Sequence, residues 1–411
     1  MIAPAGGICP ASPVWRAPTR VAPNPAAIAG RPRFTIDGSA ALEAHLAATC
    51  EGILAGLRGL LPPRRLEAVL LGGGYGRGEG GVRMTPEGDR PYNDLEFYVC
   101  LRGNRHLNER RYHRALAVLG EILTPQAGVE VEFKITSVAE LARSAISMFS
   151  YDLVAGHRWL LGSDALLSGC AHHYDAGGIP LGEATRLLMN RCSGLLLAAE
   201  RLQRKIFTPG DADFIRRNIA KAELALGDAV LVTHGQYHAG CRERHHRLER
   251  IARAENTGWL REVADDHAVG VEFKLHPERG GATRESLQVS HDEVSLLAQK
   301  LWLQLESRRL GCAFATARIY AGSPLEKWPD AGRGKNLLRN LRAFGLRRAL
   351  RRKTFRQPRE RVCHALALLL WEPDVLRQPI LLRHVQEELG TPATGFAEMV
   401  AAYCRLWERV K

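Results

Sequence analysis

The chain has no apolar run approaching the ~20 residues that a membrane-crossing helix requires, so no spanning segment is expected. It has no Cys-x-x-Cys pair. Nine cysteines stand singly between Cys9 and Cys404, an odd count that argues against a disulfide framework and for free thiols in a reducing compartment. The expected location is therefore cytoplasmic. Also absent are the Gly-Lys-Ser/Thr ending of a P-loop and the His-Arg-Asp and Asp-Phe-Gly motifs of a kinase, which excludes two familiar phosphate-binding families. Acidic residues are missing from the first 33 positions, where Arg16, Arg20, Arg31 and Arg33 stand among seven prolines. A basic, acid-free start faintly suggests a transit peptide, but these prolines prevent the amphipathic helix such a peptide forms. Residues 1–35 are expected to be a disordered Ala/Pro-rich tail.

What is present describes a globular chain. Its 411 residues, 45% hydrophobic and 25% charged, exceed one ordinary domain and suit two. The net charge of +13 is unevenly distributed: positions 333–361 hold twelve Lys or Arg against the single acid Glu360, and the remainder is nearly neutral. Nucleic acid could bind such a segment, yet Leu337, Leu338, Leu341, Leu346 and Leu350 alternate with the arginines as an ordinary amphipathic surface helix requires. No recognisable nucleic-acid-binding module accompanies them.

Hydrophobic periodicity divides the chain in two. Residues 40–61 read as an amphipathic helix ending at Pro62-Pro63, and residues 66–71 as a buried strand that stops at Gly72-Gly73-Gly74. Leu95, Phe97 and Val99 alternate with polar residues, as do Val129, Val131, Phe133 and Ile135, so each stretch predicts a strand; the spacing predicts a helix over 108–123 between them. Beyond Ser163 the pattern turns helical, with segments expected at 183–207, 213–232, 236–254, 291–310, 335–352 and 360–370. A final pair is expected over 379–410, broken near Gly390, and Ser290 with Glu293 fits a capping box.

Chemistry concentrates between Leu66 and Val99. Gly73-Gly-Tyr-Gly-Arg-Gly-Glu-Gly80 follows a buried strand, and a turn so rich in glycine lets backbone N–H groups approach phosphate oxygens. Asn93-Asp-Leu-Glu-Phe97 then sets Asp94 and Glu96 on one strand face, where two carboxylates can share divalent cations; hard oxygen ligands suit Mg²⁺. A third acid on a neighbouring strand would complete the set, and Glu130 and Glu132 offer two on one face.

The order glycine loop, then Asn93-Asp94-Leu95-Glu96, resembles the nucleotidyltransferase superfamily, which includes aminoglycoside nucleotidyltransferases and poly(A) polymerases. The match covers about an eighth of the chain. The resemblance implies an α+β N-terminal nucleotidyltransferase domain over 36–165, a small mixed sheet flanked by helices, followed by an all-α helical domain over 180–411. It implies that Gly73 and Gly74 cradle the triphosphate of an NTP, expected to be ATP, with Arg77 beside them. Asp94, Glu96 and a third carboxylate would bind two Mg²⁺ ions. Glu132 is the expected third, with Glu130 its competitor. Transfer of a nucleoside monophosphate to a hydroxyl-bearing small molecule or protein follows. A template-independent RNA nucleotidyltransferase and a catalytically silent nucleotide-binding protein are the alternatives.

Two departures accompany the resemblance. Gly74 stands where serine is common, and the connection from Gly81 to Tyr92 is long, forming either a flap or a surface loop. In the helical part, Arg217, Asn218 and Lys221 are candidates for completing the nucleotide site, Lys221 one turn beyond Arg217. His234, His238, Cys241 and His245 would line one stripe of a continuous helix and form a zinc set. Four ligands on one straight helix fit a tetrahedral ion poorly, and Gly235 and Gly240 weaken that helix.

Overall fold

The computed structural model describes residues 33–278, 280–328, 332–346 and 355–410. Helix α1 (Ala40–Leu60) starts at Ser39, whose side chain accepts the Leu42 N–H, and buries Leu42, Leu46, Ile53 and Leu57 along one face. Strand β1 (Leu66–Leu71) follows, then the short helix α2 (Gly73–Arg77), the hairpin β2 (Val82–Arg83) and β3 (Arg90–Pro91), and β4 (Leu95–Leu101). Helix α3 (Arg105–Ala127) returns the chain to β5 (Val131–Thr136); α4 (Val138–Arg143), α5 (Met148–Ala155) and β6 (Arg158–Leu161) complete this part. The main sheet has the order β5-β4-β1-β6, with β4 and β5 parallel and β1 antiparallel to both its neighbours.

Strand alternation places the two faces of this sheet in different surroundings. Val69, Leu71, Phe97, Val99, Val131 and Ile135 pack against α1 and α3, while Ala68, Leu70, Tyr98 and Cys100 meet Leu141, Leu153, Val154 and Leu167 on the other side. Phe34 and Thr35, assigned from the sequence to a disordered tail, are buried instead: the Phe34 ring packs among the first set, and both N–H groups donate to the Glu43 carboxylate. Residues 1–32 lie outside the described residues.

From Leu181 onward the described residues form helices: α6 (Leu181–Leu202), α7 (Pro209–Thr233), α8 (Cys241–Glu255), α9 (Gly258–Leu275), α10 (Arg284–Leu310), α11 (Ala317–Gly322), α12 (Arg333–Phe344), α13 (Arg359–Trp371), α14 (Pro379–Leu389) and α15 (Phe396–Val410). One continuous apolar core joins α6, α7, α9, α10 and α13. Helix α7 begins four residues earlier than its periodicity predicts, at a reciprocal capping box between Thr208 and Asp211 with Pro209 in the first turn. Ser290 caps nothing. It lies inside α10, whose start is held by the Thr283 side chain accepting the Ser286 N–H. No described helix is long and apolar enough to cross a membrane.

Candidate functional site

The glycine stretch is one turn of helix rather than an open loop. Gly73 adopts φ +62°, and the N–H groups of Gly73 and Gly74 meet no acceptor among the described residues. Gly74 is sterically required: a Cβ there would stand 2.9 Å from the Glu79 carbonyl oxygen, so the serine common at this position has no room. Tyr75 is buried beneath the turn, where its hydroxyl donates to the Gly81 carbonyl (2.8 Å) and accepts the Tyr92 N–H (2.9 Å). Burial pushes this phenol up to about 12, so it stays protonated as a pin for both ends of the Gly81–Tyr92 segment. That segment is the β2–β3 hairpin, and Tyr92 meets Phe273 of α9 edge-on, with ring centroids 6.4 Å apart.

Asp94 immediately precedes β4, and Glu96 lies on it opposite Glu132 of β5 in a parallel register. Both belong to the face that carries Tyr98 and Cys100. Where α4 and α5 cover it the face is apolar, and at the start of the strands it opens and becomes acidic. One carboxylate oxygen from each of Asp94, Glu96 and Glu132 lies within 4.8 Å of the others. Glu130 does not join this set; it is exposed, and its carbonyl accepts the Leu95 N–H at 2.8 Å.

A cation from the chain itself lies among these acids. Lys134 Nζ is 3.1 Å from Glu96 Oε1 and 3.0 Å from Glu132 Oε2, and the Tyr98 hydroxyl donates to Glu96 Oε2 at 3.2 Å. Partial burial draws the Lys134 amine down, but Glu96 and Glu132 outweigh it and hold its pKa above the usual lysine value. Loss of solvent around the Asp94 carboxyl, then the charge of Glu96, raises Asp94 above the usual aspartate value. Three acids are thus held together beside one ammonium.

Helix α7 brings a basic side chain toward this cluster, and Arg191 of α6 lies beside it. Lys221 is close enough to Asp94 to feel its charge. Desolvation, then Arg191 and Arg217, pulls the Lys221 amine below the usual lysine value. Neither Lys221 nor Arg191 has a hydrogen-bond or ion-pair partner among the described residues. Arg191 was not recognised in the sequence; the available signal was a charged residue amid Leu188, Met189, Cys192 and Leu195 on the buried face of α6. Lys134 was likewise read only as the polar alternate of a strand.

Two expected participants go elsewhere. Asn218 donates to the Phe214 carbonyl, and its Oδ1 is 2.3 Å from where a Cβ on Gly194 would stand, so it is a packing group between α7 and α6. Arg77 lies over Gly156 and helps keep Glu79 ionised; it belongs to a buried charged network at the base of the turn. There Glu79 accepts the Cys241 N–H at 2.7 Å, Tyr237 donates to Asp152 at 3.2 Å, and Arg244 pairs with Asp228 at 2.6 Å. The stripe of His234, His238, Cys241 and His245, disfavoured as a zinc set by its geometry, does not form. Helix α7 ends at Thr233 and α8 begins at Cys241, and the intervening turn separates His234 from His245; His234 pairs with Glu255 instead. The basic stretch is described only in part: positions 347–354 lie outside the described residues.

No family model matches the chain, and no curated protein and no solved structure matches it.

Proposed function

We propose that the chain is a divalent-metal-dependent nucleotidyltransferase that moves a nucleoside monophosphate from an NTP to a hydroxyl-bearing acceptor. The observation that carries this reading is the convergence of Asp94, Glu96 and Glu132 from adjacent strand ends, with Lys221 close enough to Asp94 to feel its charge and Arg191 beside Lys221. Three carboxylates with hard oxygen donors fit Mg²⁺, and two cations without protein partners fit the negative charge of a triphosphate. In this reading residues 36–165 are the nucleotidyltransferase domain, and the helices beyond residue 180 form the wall of the acceptor cleft.

Bound at the carboxylates, Mg²⁺ would supply Lewis-acid polarisation of the phosphoryl group and neutralise charge on the departing pyrophosphate. The chain's own groups do the rest. The free N–H groups of Gly73 and Gly74 bind phosphate oxygens, Lys221 and Arg191 hold the triphosphate in line, and a site carboxylate, Glu132 or its neighbour Asp94, accepts the acceptor hydroxyl's proton. Lys134 offsets the charge of Glu96 and Glu132, the carboxylates that would hold a dication with Asp94.

The same lysine favours a second reading. An ammonium that already satisfies two of three carboxylates would suit a catalytically silent nucleotide-binding protein. Pure chain incubated with each α-labelled NTP, Mg²⁺ and a cell extract separates the two. Labelled acceptor that disappears in Asp94→Asn and Glu96→Gln supports transfer; retained nucleotide binding without label in any product defeats it.

A further inference from the structure

A second cluster of metal-competent side chains lies far along the chain, between α13 and α14. His364 is fully buried on α13; His384 and Glu388 stand one turn apart on α14, Glu388 only 6% exposed. Glu388 Oε1 is 3.0 Å from His364 Nδ1 and 3.4 Å from His384 Nε2, and one donor atom from each residue lies within 4.8 Å of the others. A tetrahedral zinc ion with ligand bonds of ~2.0–2.1 Å spaces its donor atoms roughly 3.3 Å apart. The two separations made by Glu388 Oε1, 3.0 and 3.4 Å, match that spacing.

The other carboxylate oxygen is held separately. Arg361 Nε lies 3.3 Å from Glu388 Oε2, its Nη2 donates to the Glu387 carbonyl, and its guanidinium covers the Phe344 ring. Arg361 thereby fixes the carboxylate plane so that Oε1 faces the two imidazoles, the orienting role that outer groups serve around metals. Two nitrogens and one oxygen select a borderline ion over Mg²⁺, which takes oxygen ligands in an octahedron. His384 is the ligand nearest solvent, its side chain 26% exposed, and gives an entry path and room for a water as fourth ligand.

We propose that His364, His384 and Glu388 form a zinc site that fastens α14 to α13. The site is independent of the carboxylates at the sheet, and zinc bound there stabilises the fold without taking part in transfer. The metal-free alternative is a hydrogen-bonded triad in which both imidazoles donate to Glu388 Oε1.

The test uses the full chain, stripped with a chelator and dialysed, then titrated with ZnCl₂ by calorimetry and with Co²⁺ by visible absorption. One saturable equivalent is expected, with the strong absorption of four-coordinate cobalt and a rise in Tm on adding zinc. The same equivalent should persist in the Asp94→Asn/Glu96→Gln double variant, so the result does not depend on the proposed transferase site. Loss of at least ~100-fold in zinc affinity is expected for His384→Gln, the solvent-side ligand whose replacement leaves the metal-free Tm near that of the parent. Glu388→Gln should lose the equivalent as well. Failure to bind a stoichiometric equivalent, or binding unchanged in His384→Gln, overturns the zinc site and leaves the triad.

Discussion

The two clusters assemble similar side chains in opposite ways. Asp94, Glu96 and Glu132 stand at the open end of a sheet, all oxygen, partly exposed, with Lys134 already among them. His364, His384 and Glu388 lie between two helices, rich in nitrogen and mostly buried, with an arginine outside the donor set. The first arrangement suits ions that arrive with a substrate and leave with a product, because hard, hydrated ligands exchange easily. The second suits an ion that stays, because nitrogen-rich, mostly buried donors release it slowly. Donor type and burial together separate a working site from a fastening.

The largest test of that contrast removes the oxygen ligands. Asp94→Asn or Glu96→Gln should lower nucleotidyl transfer by more than about 100-fold, since even outer partners of a metal cost 10–100-fold. Zinc uptake and zinc-dependent Tm should not change, and a coupled loss of both would show that the clusters are not independent. Next, Arg191→Ala and Lys221→Ala should each raise the KM for NTP by roughly 10-fold, the worth of one charge-assisted hydrogen bond, with a smaller change in kcat. Steady-state kinetics at saturating Mg²⁺ check this, and an unchanged KM would remove both from the phosphate site.

A smaller effect is expected at Lys134. Replacing it with Met removes the ammonium that competes with a dication, so apparent Mg²⁺ affinity should rise roughly fivefold, the worth of about 1 kcal/mol for a partly exposed ion pair. A fall in Mg²⁺ affinity would mean that Lys134 orders the acids rather than competing at them.

The smallest effect concerns an acid in neither cluster. Glu223 on α7 is 7% exposed and is pushed up to about 8, first by burial and then by Asp266. Its folded-state value exceeds its ordinary value of 4.5, so the protonated form favours the folded chain. That stability is complete below about pH 4.5 and is lost as pH rises through about 8. Glu223→Gln should flatten the decline of Tm between pH 5 and pH 9 by a few degrees. An identical decline in the variant would place the titration elsewhere.

The strands were readable because their alternation is local: Leu95, Phe97 and Val99 mark a half-buried strand whatever covers it. So were the same-face acids, which follow from that period. Helix α9 escaped notice because Val271-Glu-Phe-Lys-Leu275 mimics a strand's alternation and Gly270 interrupts the helical stretch, although that glycine is where α9 approaches Leu224 of α7 most closely. Strand β6 was also missed, its four residues being too few to show a period. Of the cations near the carboxylates, Lys221 was readable from its place on a helix face and Arg191 was not. Arg191 and Lys221 lie about a hundred positions or more beyond Asp94, and only packing brings them near. The histidine-rich stretch 234–245 drew attention by spacing along one helix. The histidines that do converge with a carboxylate, His364 and His384, lie on two helices and share no motif.

One contact made by Glu79 has a consequence for engineering. This residue closes the glycine-rich stretch, is 2% exposed, and spends its carboxylate on the Cys241 N–H at the start of α8. Truncation after β6 would leave an acid facing water where it had been neutralised by Lys274, Arg77 and Arg244. Two of those three cations would go with the deleted part. The sheet therefore does not make a minimal self-contained unit. Any shortened chain, or any chimera that grafts these strands onto a different set of helices, must carry α8 and α9 with it or redesign the base of the turn.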